Sequence, residues 1–331
     1  MSEKQRPFFS IGVTTYDRLD LLKCAISSIV FQTFPDFEII VGNDNPHRAL
    51  SSEILNIKDA RLSFVNRPTN LGELANMNDL LARSRGRYFT WLADDDMYRP
   101  GFLESVYHAL NKFDFPLVVF TSYESGPEYL EQEICNFSVE SKILTGKEFL
   151  QRYLSRSLKA IGCYGLFKSS YLKSIGGMEK LGNGFSPYSD NLLVIRAGLL
   201  DSVIYNHADL VFFRTHENSV SYTSPNIDVY ASAQADLLSK SLIIFTSDRL
   251  KGNFHDYLFM LLDWCIKDFD SVVRRSGSVS PQQIQTYFNM IQKYVGYLAG
   301  SPFYRRAWML FAKIALLLIR DIGLTRIRFH S

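Results

Sequence analysis

A chain of 331 residues, 47% of them hydrophobic and 21% charged, has the composition of a folded soluble protein and the length of one large domain or two modest ones. Its formal net charge of +2 provides no global field for nucleic acid, so an electrostatic partner has to be read from local clusters. The cysteines, Cys24, Cys135, Cys163 and Cys265, form no C-x-x-C pair, which excludes zinc-ribbon spacing and a disulfide framework and points to a reducing, cytoplasmic compartment.

"FFSIGVTTY" (8–16) predicts a strand that stops at the polar "DRLD". From Leu19, the apolar residues Leu22, Ala25, Ile26 and Ile29 recur at helical spacing. "FEIIVGNDNP" predicts a buried strand around Ile39 to Val41 that ends in turn residues. "SSEILNI" predicts a short helix, "LSFVNRP" a strand, and "GELANMNDLLARSRG" a helix closing on Gly86. "RYFTWLA" is the next strand, "PGFLESVYHALNKF" a helix with Pro100 in its first turn, and "FPLVVFTSY" a further strand. This alternation over roughly the first 125 residues predicts an α/β architecture with a mostly parallel sheet flanked by helices. In such sheets ligands bind beyond the carboxyl ends of the strands, where this chain places "TTYDR", "GNDNP" and "ADDD". Residues 126–224 are less regular and rich in glycine and polar residues, and from about Asp228 the pattern is helical with breaks near "LKGN" and "RSGSVSPQQ".

Asp94, Asp95 and Asp96 follow directly on the apolar "RYFTWLA". Three adjacent carboxylates repel one another, so the cluster is either a solvated turn capping the next helix or the seat of a hard divalent cation. Mg2+ and Mn2+ take carboxylate oxygen and complete their shell with substrate phosphates. The position at the end of a central strand favours the cation.

"FSIGVTTYDRLDLLKCAISSIVFQTFPDFEIIVGNDN" followed by "NLGELANMNDLLARSRGRYFTWLADDDMYRPGFLE" resembles the opening of a family 2 glycosyltransferase with the GT-A fold. The resemblance is dense over 8–125 and sparse over 160–224, and it rests on the order of the motifs: T-x-Y, SI-x-x-QT, the Asp after the second strand, N-x-G, G-x-Y and the Asp cluster. It implies a GT-A domain over about 1–224, nucleotide-binding to about 125 and acceptor-binding beyond, with a helical region over 225–331. It also implies a nucleotide-sugar donor, UDP-sugar favoured, held by Thr14, Tyr16 and Asp44, with Arg18, Asn70, Glu73 and Asn78 lining the pocket. The family's Asp-x-Asp motif aligns its first acid with Ala93, a departure, and its second with Asp95. Asp95 is therefore the expected Mn2+ or Mg2+ ligand, Asp94 a ribose or diphosphate contact, and Asp96 a second ligand or a brace for the loop. Asn43 likewise stands where the family often has a second acid.

In "SPYSDNLLVIRAGLL" the same resemblance makes Asp190 the catalytic base of an inverting displacement, although Ser189 replaces a frequent acidic neighbour. An N-cap role for Asp190 is the plainer alternative, and the two are compatible. In "FFRTHENSVSYT", Arg214 and His216 alternate on an extended segment and can face one way. The resemblance gives His216 to the metal and Arg214 to the diphosphate. By the same resemblance, "GCYGLFKSS" (162–170) falls where such enzymes form the floor of the sugar and acceptor site. The tail 301–331 has six basic residues and one acid, with Arg306, Lys313 and Arg320 on one helical stripe. It either packs on its own domain or a sister subunit, or lies on anionic lipid at the inner face of a membrane beside a lipid-linked acceptor. Its longest apolar run, 307–319, is shorter than the roughly 20 residues of a spanning helix. The expectation is thus an inverting, metal-dependent transferase of bacterial surface polysaccharide, acting on a glycan or lipid-linked acceptor and not on nucleic acid. Two rivals are a sugar-phosphate nucleotidyltransferase, disfavoured by the lack of glycine in "TTYDRLD", and a degenerate homologue serving as a scaffold subunit.

Overall fold

The computed structural model describes residues 6–129, 140–216, 226–276 and 279–312. In chain order the first elements are β1 (Phe9–Thr15), α1 (Leu19–Val30), β2 (Phe37–Asn43), α2 (Ser52–Leu55), β3 (Leu62–Asn66), α3 (Glu73–Arg83), β4 (Tyr88–Ala93), β5 (Met97–Tyr98), α4 (Phe102–Lys112) and β6 (Val118–Gly126). Then come β7 (Ser141–Leu144), α5 (Gly146–Leu154), β8 (Leu166–Lys168), α6 (Ser169–Ser174), α7 (Ser189–Arg196) and β9 (Val203–Arg214). Further helices are α8 (Ile227–Phe245), α9 (Phe254–Ser276) and α10 (Pro281–Gly296).

Among the described residues nine strands form one sheet in the order β3-β2-β1-β4-β8-β6-β9-β5, with β7 also paired to β9. Strands β3, β2, β1 and β4 run parallel, in the register Thr14 opposite Gly42 on one side and Ala93 on the other. Their burial is nearly continuous rather than alternating, as helices on both faces require: Phe9, Ile11, Val13, Ile39, Val41, Phe89 and Leu92 are all inaccessible to solvent. β8 is antiparallel to both its neighbours, while β6 and β9 pair in parallel with a register shift around Ser122.

Local structure departs from the expected pattern in three places. α3 ends at Arg83 with Ser84 in an extended cap, not on Gly86. Gly86 is needed for a close approach instead, because a Cβ there would lie 2.6 Å from the Ser10 backbone nitrogen. Pro100 precedes Gly101, which is in the left-handed region (φ 79°), and α4 starts only at Phe102. The short β5 was hidden by its proximity to the acidic cluster; it pairs with β9 through Met97 and Tyr98.

The chain separates into two compact units. One comprises 1–149, 158–179 and 200–216, and the other 150–157, 180–199 and 217–331. The second unit has its own apolar core, built from α7, α8, α9 and α10 through residues such as Leu192, Leu238, Leu258, Phe269 and Ile291. A buried polar chain crosses it: Tyr188 donates to Asp268 at 2.5 Å, Gln234 donates to the Tyr188 hydroxyl at 2.9 Å, and Tyr287 donates to Gln234 at 2.8 Å. Ala307 and Phe311 are buried in this core and Arg306 stands 5.1 Å over the Phe259 ring, so the start of the basic tail packs on its own unit. Lys313 and Arg320 lie outside the described residues. Among the described residues no helix is long and apolar enough to cross a membrane.

Candidate active site

The parallel strands β1, β2 and β4 deliver their carboxyl ends to one edge, and the acidic turn leaves β4 there. Asp94 is fully buried. Thr15, the last residue of β1, donates its hydroxyl to Asp94 Oδ2 at 2.6 Å. Arg18, which opens α1, places its fork between two acids: Nη2 lies 2.5 Å from Asp94 Oδ1 and Nη1 donates to Asp95 Oδ2 at 2.7 Å. The Asp94 contact is a charge contact rather than an aligned hydrogen bond. Burial pushes the Asp94 carboxyl up to about 6, against the opposing pull of Arg18 and Thr15. Burial also opposes the Arg18 charge, but Asp94 and Asp95 outweigh it and its pKa ends above the usual arginine value.

The end of β9 closes the same site. Arg214 Nε donates to the Asp95 backbone carbonyl at 2.9 Å, and the Arg214 backbone N–H donates to Asp96 Oδ1 at 2.7 Å. Two residues on, His216 Nε2 lies 3.0 Å from Asp95 Oδ2. The alternation of Arg214 and His216 thus brings both to one aspartate. Asp96 is buried, with its second oxygen accepting from the Tyr164 hydroxyl. Burial first, and then the neighbouring Asp95 charge, raises its pKa well above the carboxylate range. Both Asp96 oxygens are thus in contact with protein groups, Oδ1 with the Arg214 amide and Oδ2 with the Tyr164 hydroxyl.

The second strand end is organised around Asp44, whose carboxylate accepts from the Leu71 and Gly72 amides at 2.8 and 2.9 Å. The N-x-G motif supplies these donors. Asn70 Oδ1 also accepts from Gly72 N–H at 2.7 Å, and Gly72 takes a φ of 84° that a side chain would oppose. Glu73 begins α3 directly after it. Asn43, in the place of a family acid, donates from Nδ2 to Asn66 Oδ1 at 2.8 Å and to the Arg48 carbonyl at 2.6 Å, and so ties down the turn. Asn78, expected on the pocket wall, instead clasps the Met178 backbone, accepting from its N–H at 2.9 Å and donating to its carbonyl at 2.8 Å. Thr14 is half-buried, and Tyr16 is 51% exposed at the end of β1.

Asp190 belongs to the second unit. It lies in the first turn of α7 and is not its cap, since the helix begins at Ser189 after Tyr188. An acid there meets the positive end of the helix dipole.

Thr15 and Tyr164 were not singled out by sequence reading. The doubled threonine of "VTTY" was the available signal for Thr15, because alternation on a strand sends only one of the two to a given face. Nothing local marks Tyr164, whose partner Asp96 is 68 residues away.

The donor set suits a divalent cation in part. Asp95 Oδ2 and His216 Nε2 are 3.0 Å apart, about the separation of two adjacent octahedral ligands each roughly 2.1 Å from a metal. Among the described residues no cluster of three or more His, Cys, Asp or Glu side chains could hold a metal ion. A cation at this pair would therefore draw the rest of its shell from diphosphate oxygen and water, the common arrangement for Mg2+.

Comparison with known proteins bears on the fold and the family. The Staphylococcus aureus TarS fragment 1–349 in complex with UDP-GlcNAc superposes with a TM-score of 0.66 at 14% identity, covering 98% of this chain and 94% of that one. The Pyrobaculum calidifontis mannosyltransferase PcManGT, in complex with GDP-Man and Mn2+, gives a TM-score of 0.50 at 13% identity over 98% of this chain and 89% of that one. In sequence, an uncharacterised glycosyltransferase of Rickettsia typhi is 27% identical over 257 residues, 76% of this chain and 78% of its own length. A GalNAc(5)-diNAcBac-PP-undecaprenol beta-1,3-glucosyltransferase of Campylobacter jejuni is 36% identical over 109 residues, 32% of this chain and 35% of that one. The fold is GT-A, and the protein is a glycosyltransferase. The description "Glycosyl transferase family 2" matches residues 10–176, and the chain belongs to that family.

Proposed function

We propose that this protein is an inverting, metal-dependent transferase that moves a sugar from a nucleoside-diphosphate donor, UDP-sugar by preference, to a hydroxyl of a glycan or lipid-linked acceptor in bacterial surface polysaccharide synthesis. The observation that supports this most is the convergence on Asp95 of His216 from beyond β9 and Arg18 from the start of α1, at the carboxyl end of β4. One acid with an imidazole and a guanidinium around it is suited to a ligand that carries both negative charge and a cation.

In this reading Thr14, Tyr16, Asp44 and the Asn70 loop receive the nucleoside. Tyr16 is exposed enough to close over a base, and Asp44, although it holds two amides, keeps lone pairs for a ring N–H or ribose hydroxyl. Arg18, Arg214 and the Asp94 side chain order the ribose–diphosphate region. Asp95 and His216 would hold Mn2+ or Mg2+, which would supply Lewis-acid neutralisation of charge on the departing diphosphate. Asp190 takes the proton of the acceptor hydroxyl. The oxygen forms its bond to the anomeric carbon as the bond to the diphosphate breaks, a single displacement that inverts configuration.

A lipid-linked acceptor would bring the chain to a membrane face, and the basic residues of the tail beyond Phe311, namely Lys313, Arg320, Arg326 and Arg328, are the ones proposed to meet it. The C. jejuni relative named above, a transferase onto an undecaprenol-linked glycan, supports that choice. Calorimetry with UDP and with GDP, each with and without Mn2+, tests the reading: binding of UDP that strengthens with Mn2+ is expected, and no metal-dependent nucleotide binding overturns it.

A further inference from the structure

The contacts at Asp94 and Asp95 leave no vacant carboxylate pair waiting for a cation, because the protein supplies its own. The Arg18 guanidinium bridges Asp94 Oδ1 and Asp95 Oδ2, and the same Asp95 oxygen faces His216 Nε2. We infer that Arg18 is an internal cation that competes with the divalent metal for Asp95 and is drawn off by the donor diphosphate, so that nucleotide and metal binding are coupled through this one side chain. The inference rests on the transferase reading above and concerns how that site is filled.

Three observations carry it. First, Asp95 Oδ2 is shared by Arg18 at 2.7 Å and His216 at 3.0 Å, so the oxygen best placed for a metal is already coordinated by a positive group. A guanidinium and a divalent cation on one oxygen repel at contact distance, and the first has to leave or be compensated. Second, Arg18 is not locked in by burial or by a capping bond. Its side chain is 33% exposed, and it stands at the start of α1 and makes no side-chain cap for that helix. Third, its planar fork matches a diphosphate as well as it matches two carboxylates. A ligand bringing two or more negative charges offers Arg18 an alternative partner while it also supplies oxygen to the metal. Asp94 stays anchored by Thr15 throughout, so the exchange takes place on Asp95.

Mn2+ and UDP binding to the intact protein, measured without acceptor or turnover, tests this. Electron paramagnetic resonance of free Mn2+ gives the metal affinity of native protein, Arg18→Met and Arg18→Lys, each with and without UDP. Native protein is expected to bind Mn2+ weakly alone and at least about tenfold more tightly with UDP, with the same factor appearing in UDP affinity when Mn2+ is added. Arg18→Met is expected to bind Mn2+ about tenfold or more tightly than native without UDP, and to lose most of the coupling. Arg18→Lys keeps a cation beside the buried Asp94 but cannot bridge both acids, and it is expected to fall between the two, which guards against a folding defect in Arg18→Met. Native protein that binds both ligands, with either variant unchanged in Mn2+ affinity and coupling, overturns this inference alone. Native protein that binds neither overturns the transferase reading and this inference with it.

Discussion

Thr15 holds Asp94: its hydroxyl donates to a carboxylate that has no access to water. A buried charge without partners costs several kcal/mol, so each of its few contacts carries weight. Thr15→Val keeps the shape and removes the donor. We expect a loss of about 1.5–3 kcal/mol in unfolding free energy, the range for hydrogen bonds to charged groups, together with weaker UDP binding. Urea denaturation checks the first and calorimetry the second. A variant as stable as the parent would show that Asp94 is neutral or otherwise satisfied.

The raised Asp94 pKa gives a pH dependence of definite sign. In the folded protein burial disfavours the charge and pushes the carboxyl up to about 6, whereas an ordinary aspartate lies at about 3.8. The folded state therefore holds more protons than the unfolded state between these values, and stability falls as pH rises through that window. The contribution is present in full below the unfolded pKa and is lost by the time pH passes the folded one, a change on the order of 3 kcal/mol at one pKa unit per 1.36 kcal/mol. Asp94→Asn removes the titration. Unfolding free energies of parent and variant across this window are expected to diverge, the parent losing more as pH rises. Parallel profiles would contradict the burial argument.

Much of this site was legible because its chemistry sits at strand ends, and strand ends are marked in sequence by an abrupt change from apolar to polar. The runs around β1, β2 and β4 located Asp44, Asp94 and Asp95, and alternation aligned Arg214 with His216. Long-range pairing was not legible. Asp96 reads as a second metal ligand or a loop brace, and nothing local shows that its partners, Tyr164 and the Arg214 amide, are 68 and 118 residues away. The Asn78 contact was hidden in the same way, because a polar residue on a helix gives no sign of whether it faces a ligand or a backbone 100 residues distant. The Arg18 bridge was invisible for a further reason: an arginine after a strand reads as a phosphate ligand, and the sequence does not state which anion holds it in the absence of one.

Asp190 is proposed as the base, and its replacement separates catalysis from binding. General-base groups contribute about 10²–10⁴-fold, so Asp190→Asn is expected to lower kcat by that range while UDP affinity with Mn2+ stays at the parental value. Transfer is measured by release of UDP from a donor panel with acceptor present. Transfer that survives undiminished removes Asp190 from the mechanism and leaves its first-turn position on α7 as a helix-dipole contact.

The same helix is anchored from behind by Tyr188, which immediately precedes it and donates to Asp268 at 2.5 Å within the second unit. Burial raises the Asp268 pKa above the usual value, with the Tyr188 hydrogen bond pulling the other way. Tyr188→Phe removes that pull and leaves Gln234 at 3.3 Å as the remaining donor to the same oxygen. A loss of about 1–3 kcal/mol is expected, the cost of a buried acceptor deprived of its partner. The loss should shrink as pH is lowered, because a protonated Asp268 no longer carries the charge that the hydroxyl stabilises. Asp268→Asn in the Tyr188→Phe background should recover part of the stability at neutral pH. Denaturant titrations of the two single variants and the double variant measure the coupling directly, and additive losses would show that the tyrosine holds α7 by packing rather than through this carboxylate.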